Sequence, residues 1–193
     1  MSRLFLGNAF ALALVCSYAT TADTATADSA AEECLQQGDS IGVFYVTKVA
    51  GAEDDGVEPG EDLCYRCRYG SSPMVMVFAR DTTGKVSDLV KSIDAAVAEN
   101  EEFSLKGLLT LIGEDASRLK EDASQIAKKT GVKHVPIVIA KEMKTGPLNY
   151  KLPSESAVTI VVAKDSQVVT IHTFAANGID IAAVMKEVKQ ILN

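Results

Sequence analysis

The residues of this chain best suited to chemistry are Cys64 and Cys67, which stand three apart in the string Cys-Tyr-Arg-Cys. That spacing lets two sulfurs close a small disulfide ring or aim two thiolates at one metal ion, and an oxidising compartment favours the ring. Arg66 and Arg68 flank Cys67, and their positive charge would favour a thiolate. The pair therefore reads either as a redox pair, which exchanges thiol for disulfide, or as a structural bridge pinning the acidic segment before it. A metal half-site is a third reading. Zinc would need two further ligands, and the two histidines, His134 and His172, fall in different predicted strands without ligand spacing. Met74 and Met76 alternate within an apolar run and read as packing rather than as copper ligands. Arg68 stands where covalent haem attachment requires His. No metal and no cofactor is expected.

The chain carries four cysteines, and where it resides decides how many remain. Met1-Ser2-Arg3 is a short basic start, Leu4 to Tyr18 is apolar, and Ala19 to Ala31 consists almost wholly of small residues with several Ala-x-Ala-like cleavage sites. A membrane-spanning helix wants about 20 apolar residues and a charged flank; this run has neither. It predicts a cleaved signal peptide, export to the periplasm or beyond, and no membrane span in the mature chain. Leu14-Val15 before Cys16 lacks the small residue that lipid attachment prefers. Losing Cys16 leaves three cysteines, so Cys34 stays free, pairs between chains, or acts as a resolving residue for Cys64 and Cys67.

The 193 residues, 47% hydrophobic, suffice for one domain with an ordinary core after a leader is removed. The net charge of -7 comes without any cluster of Lys and Arg, which argues against a nucleic-acid partner. Glu53, Asp54, Asp55 and Glu58 depart from calcium-loop spacing and read as a solvated acidic loop. No phosphate loop, nucleophile elbow or Ser/His/Asp arrangement is present. We divide the chain into a leader at 1–27, a flexible arm at 28–37 and a domain at 38–193.

Within the domain the periodicity predicts a strand from Ile41 to Val49, an acidic loop from Gly51 to Asp62 carrying on into Cys64 and Cys67, and a continuous apolar strand from Met74 to Ala79. Val86, Leu89, Val90, Ile93 and Val97 share one helical face, so Val86 to Glu99 reads as an amphipathic helix. Leu105 to Ile112 is a strand; Asp115 or Ser117 caps a helix ending at Gly131; Pro136 to Ala140 is a further strand. Ala157 to Ala163 and Val168 to Ala175 form a hairpin, and Asn177 starts a last helix with Asp180 as its capping-box partner.

A buried strand, two crossover helices, a late antiparallel hairpin and a final packed helix resemble the thioredoxin-like fold: α/β, with a central mixed sheet flanked by helices. The extra N-terminal strand, beginning Gly38-Asp-Ser-Ile-Gly-Val-Phe, is similar to the opening of redoxin and peroxiredoxin domains. The resemblance implies redox-active cysteines just after the first central strand, at the start of the next helix. Arg80-Asp-Thr-Thr-Gly-Lys85 holds that place instead, and Pro153 lies too early for the family's cis-proline. The expected function is an exported redoxin-like protein whose thiol–disulfide chemistry runs through the displaced Cys64 and Cys67, with a protein or peptide thiol as partner. The alternative is a redox-silent binding module whose Cys64–Cys67 disulfide is structural.

Overall fold

A computed structural model describes residues 34–193; the leader and the start of the arm lie outside the described residues. Seven strands form one sheet in the order β2 (Asp62–Leu63), β1 (Val46–Ala50), β5 (Ile137–Ala140), β4 (Lys106–Leu111), β3 (Met74–Ala79), β6 (Val158–Lys164), β7 (Gln167–Phe174). Its centre is β3 (Met74–Ala79), parallel to β4 (Lys106–Leu111) and antiparallel to β6 (Val158–Lys164). All six residues of β3 are buried, as a continuous apolar run requires when both faces of the sheet are covered. Val75, Val77 and Ala79 face one core with α2 (Val86–Glu99), α3 (Ala116–Thr130) and α4 (Ile181–Ile191). Met74, Met76 and Phe78 face a second core with Phe44, Tyr65 and Tyr150. The rings of Phe44, Phe78 and Tyr150 lie mutually 5.2–5.7 Å apart.

The helices and the central strands follow the hydrophobic periods. Asp115 caps α3 by accepting the amides of Ser117 and Arg118, and Gly131 ends it in a left-handed conformation at φ 65°. The hairpin pairs β6 with β7 (Gln167–Phe174), and β5 (Ile137–Ala140) lies parallel to β4. The last helix differs from expectation. Asp180 is itself the cap, its side chain accepting the amide of Ala183, so α4 starts later than Asn177. Asn177 lies instead in a turn closed by the amide of Gly178 on the carbonyl of Ala175.

The N-terminal part departs further. The predicted strand at Ile41–Val49 forms a ladder only in β1 (Val46–Ala50), which pairs with β5 and with the two-residue β2 (Asp62–Leu63). The residues before it cross the second face of the sheet, from a bridge between Ser40 and Gln167 to the ladder at Val46, and bury Ile41 and Phe44. Side chains replace the missing strand partner. The carbonyls of Ile41, Gly42 and Val43 accept from Arg66, Tyr150 and Asn149 respectively. Among the described residues no helix is long and apolar enough to cross a membrane.

Candidate functional site

Cys64 and Cys67 do not lie in a loop. They bracket a short helix, α1 (Tyr65–Tyr69), for which Cys64 is the cap residue, and they are joined as a disulfide with Cα atoms 5.2 Å apart. The amide of Cys67 donates to Cys64 Sγ at 3.0 Å. The two sulfurs have unlike surroundings, for Cys64 is buried and Cys67 is exposed.

Five residues are too few for a helix to hold by itself, since isolated helices under about 12 residues are marginal in water. Tertiary anchors hold α1 instead. Tyr65 is fully buried and donates its hydroxyl to Asp55, and Tyr69 donates to the carbonyl of Gly107 at 3.1 Å. Arg66 Nε donates to the carbonyl of Ile41 at 3.0 Å, and Arg68 donates to the carbonyl of Asp55. Both guanidiniums are thus engaged with backbone carbonyls beside the disulfide. Burial, reinforced by the hydrogen bond and charge of Asp55, raises the phenol pKa of Tyr65; burial and the same carboxylate raise that of Tyr69. Both phenols therefore serve as donors.

Beside α1 runs the segment that leads into β1. Continuing the register of Val46 with Leu63 sets Tyr45 against Cys64, and Arg66 ties the far end of the segment at Ile41. Val43 and Tyr45, 53% and 58% exposed, are among the few large apolar side chains in contact with solvent.

At the position where a redoxin carries its cysteines, Arg80 to Lys85 form the turn from β3 into α2. Arg80 donates to the carbonyls of Lys144 and Thr145 at 2.7 and 2.8 Å, and burial lowers its pKa. Asp81 accepts the amide of Thr83, and Gly84 takes φ 62° against the carbonyl of Ala176, where a side chain would collide. A cavity of about 600 Å³ beside this turn is lined by Arg80, Asp81, Glu114, Asp115, Arg118 and neighbours. It contains no sulfur.

Cys34 is a free, partly exposed thiol preceding the buried Leu35. His134 lies in the turn before β5 rather than in a strand, where its amide, with those of Lys133 and Val135, donates to the carboxylate of Asp94. His172 lies on β7 and pairs with Glu187 at 2.6 Å. Among the described residues no group of three or more metal-ligating side chains converges. Every described peptide bond is trans, that of Pro153 included.

Sequence reasoning missed α1 and the polar network beneath it. Lys48 is only 2% exposed, and its ammonium binds Asp55 at 2.7 Å, while Asp55 also receives Tyr65. A lysine in the apolar pattern of Val46 to Ala50, followed by an acidic loop, was the available signal.

No family model matches the chain, and no curated protein matches it in sequence. Solved structures do match in shape. A Chlorobium tepidum protein assigned as a thiol:disulfide interchange protein, DsbE, superposes with a TM-score of 0.61 at 12% identity, covering 82% of this chain and 99% of that one. AhpC of Mycobacterium tuberculosis superposes at 0.60 with 13% identity, over 83% and 100% of the two chains. The fold is thioredoxin-like. A secreted Mycobacterium tuberculosis disulfide oxidoreductase homologous to E. coli DsbE shares this thioredoxin-like fold at 0.55 and 11% identity, over 76% and 95%. Within it, the disulfide of the present chain sits before the first central strand and not after it.

Proposed function

We propose that this protein is an exported thiol–disulfide exchange protein that works through Cys64 and Cys67. The observation that carries the reading is the asymmetry of the pair: Cys67 is exposed to an incoming thiolate, while Cys64 is buried and accepts an amide hydrogen. A partner thiolate attacks Cys67 Sγ, the disulfide breaks, and Cys64 leaves as a thiolate that the Cys67 amide supports. Attack by the partner's second thiol on the mixed disulfide releases Cys67, so the partner leaves oxidised and both cysteines reduced. Exposed Val43 and Tyr45 give an extended protein segment something apolar to rest on beside the sulfur. The apolar start of the chain and its small-residue tract support export to an oxidising compartment. Cys34, the free thiol, is the candidate resolving residue.

The reduction potential of the pair tests this. Exchange proteins fall between about -270 and -120 mV, and structural bridges below about -300 mV. We expect the first range, together with thiol-dependent reduction of insulin that disappears in Cys64→Ser/Cys67→Ser. A potential below -300 mV would favour the second reading, a redox-silent binding module. What supports that reading is the density of anchors on α1, which suits a structural bridge, and the absence of cysteine from the Arg80 to Lys85 turn.

A further inference from the structure

The acidic loop between β1 and β2 is folded around one buried cation. Lys48 Nζ donates to the carbonyl of Ala52 at 2.8 Å, to Asp55 Oδ1 at 2.7 Å and to the carbonyl of Val57 at 2.7 Å. An ammonium has three hydrogens to donate, and all three are used. Asp55 is the junction. Its Oδ1 also accepts the amide of Val57 at 2.9 Å, its Oδ2 accepts the Tyr65 hydroxyl, and its carbonyl accepts from Arg68. Tyr65 lies within the ring closed by the disulfide, and Arg68 is the first residue after it. One residue of the loop therefore receives a strand lysine, a side chain from inside the disulfide ring and a side chain adjoining it.

We propose that Asp55 is a positioning residue that couples the order of the Gly51 to Gly60 loop to the oxidation state of Cys64 and Cys67. The closed ring fixes the backbone that presents Tyr65 and Arg68 to Asp55. Opening it removes the one covalent constraint on a helix too short to persist by its own backbone bonds and leaves it to its side-chain anchors, so two of the loop's holds weaken. Such coupling is reciprocal: whatever loosens the loop must also favour the dithiol. The loop forms one wall of a cleft of about 780 Å³ whose other wall includes Lys128, Gly131 and Lys133 at the end of α3. Reduction would therefore change what that cleft admits.

The coupling does not depend on turnover and would hold at any absolute potential, so it stands or falls separately from the exchange function. The test uses the full chain, oxidised and then reduced with excess dithiothreitol. That dithiol gives two electrons and two protons to the pair and closes to its own cyclic disulfide. Hydrogen exchange of residues 51–60 should quicken at least tenfold on reduction, with β3 and β6 unchanged. Asp55→Ala should make the pair easier to reduce by about tenfold, which is about 30 mV toward less negative potential. Tyr65→Phe, which removes only a hydroxyl, should move it the same way and remains available if Asp55→Ala does not fold. Unchanged exchange in 51–60 on reduction, or a wild-type potential in a folded variant, would overturn the proposal.

Discussion

Lys48→Met removes the cation on which the acidic loop is built, and the structure sets the size of the loss. Lys48 is 2% exposed and Asp55 19%, so the substitution strands a carboxylate that water reaches only in part. Removing one partner of a buried ion pair costs about 3–5 kcal/mol. The partial exposure of Asp55 places this pair at the lower end, about 3 kcal/mol. The carbonyls of Ala52 and Val57 lose their donor too, but they belong to a loop and can turn toward water. For a domain of this size, about 3 kcal/mol corresponds to a fall in Tm of roughly 6–12 °C. Urea unfolding of the oxidised protein, followed by circular dichroism, measures it directly. Lys48→Met/Asp55→Asn should recover more than half of the loss, because the amide oxygen still accepts the Tyr65 hydroxyl and no charge is left unpaired. A loss below about 1 kcal/mol, or a double variant no more stable than the single, would refute the view that a paired charge organises the loop.

Two further outcomes follow from side chains away from the disulfide. Asp94 on α2 accepts the amides of Lys133, His134 and Val135, so Asp94→Ala should lower stability by about 1.5–3 kcal/mol, the range for hydrogen bonds to a charged group, and should raise hydrogen exchange at residues 133–135. Burial opposes the charged form of Glu187, but hydrogen bonds from Thr170 and His172 outweigh it and lower its pKa. Its contribution is therefore present above the ordinary glutamate value of about 4.3 and is lost as pH falls through the lowered folded value. Unfolding curves of wild type and Glu187→Gln should separate near pH 6 and converge toward pH 3, and curves that stay parallel would count against the pairing.

Local sequence patterns govern most of the scaffold. The run Met74 to Ala79 suits a strand covered on both faces, and the apolar positions from Val86 to Val97 recur at the helical period, so both elements appear within a residue of their expected limits. Asp115 and Gly131 mark the ends of α3 through groups in the backbone's immediate reach. The order of these elements, with the hairpin and the last helix, already points to a thioredoxin-like sheet. The absence of cysteine between Arg80 and Lys85 is equally plain from the residues alone.

What the linear chain left open depends on partners far away in sequence. Ile41 to Val43 has the composition of a strand but lies where side chains, not a neighbouring strand, meet its carbonyls, so it crosses the sheet without joining a ladder. Cys64 to Tyr69 has no helical period long enough to detect. It becomes a helix because Gly107, Ile41 and Asp55, separated by up to 38 residues from the groups they bind, converge on it. Residue type and spacing determined that Cys64 and Cys67 could form one ring. Only the tertiary packing decided that one sulfur is buried, that the other is exposed, and that Lys48 and Asp55 bind the ring to the acidic loop, because burial and long-range hydrogen bonding arise only when distant segments meet.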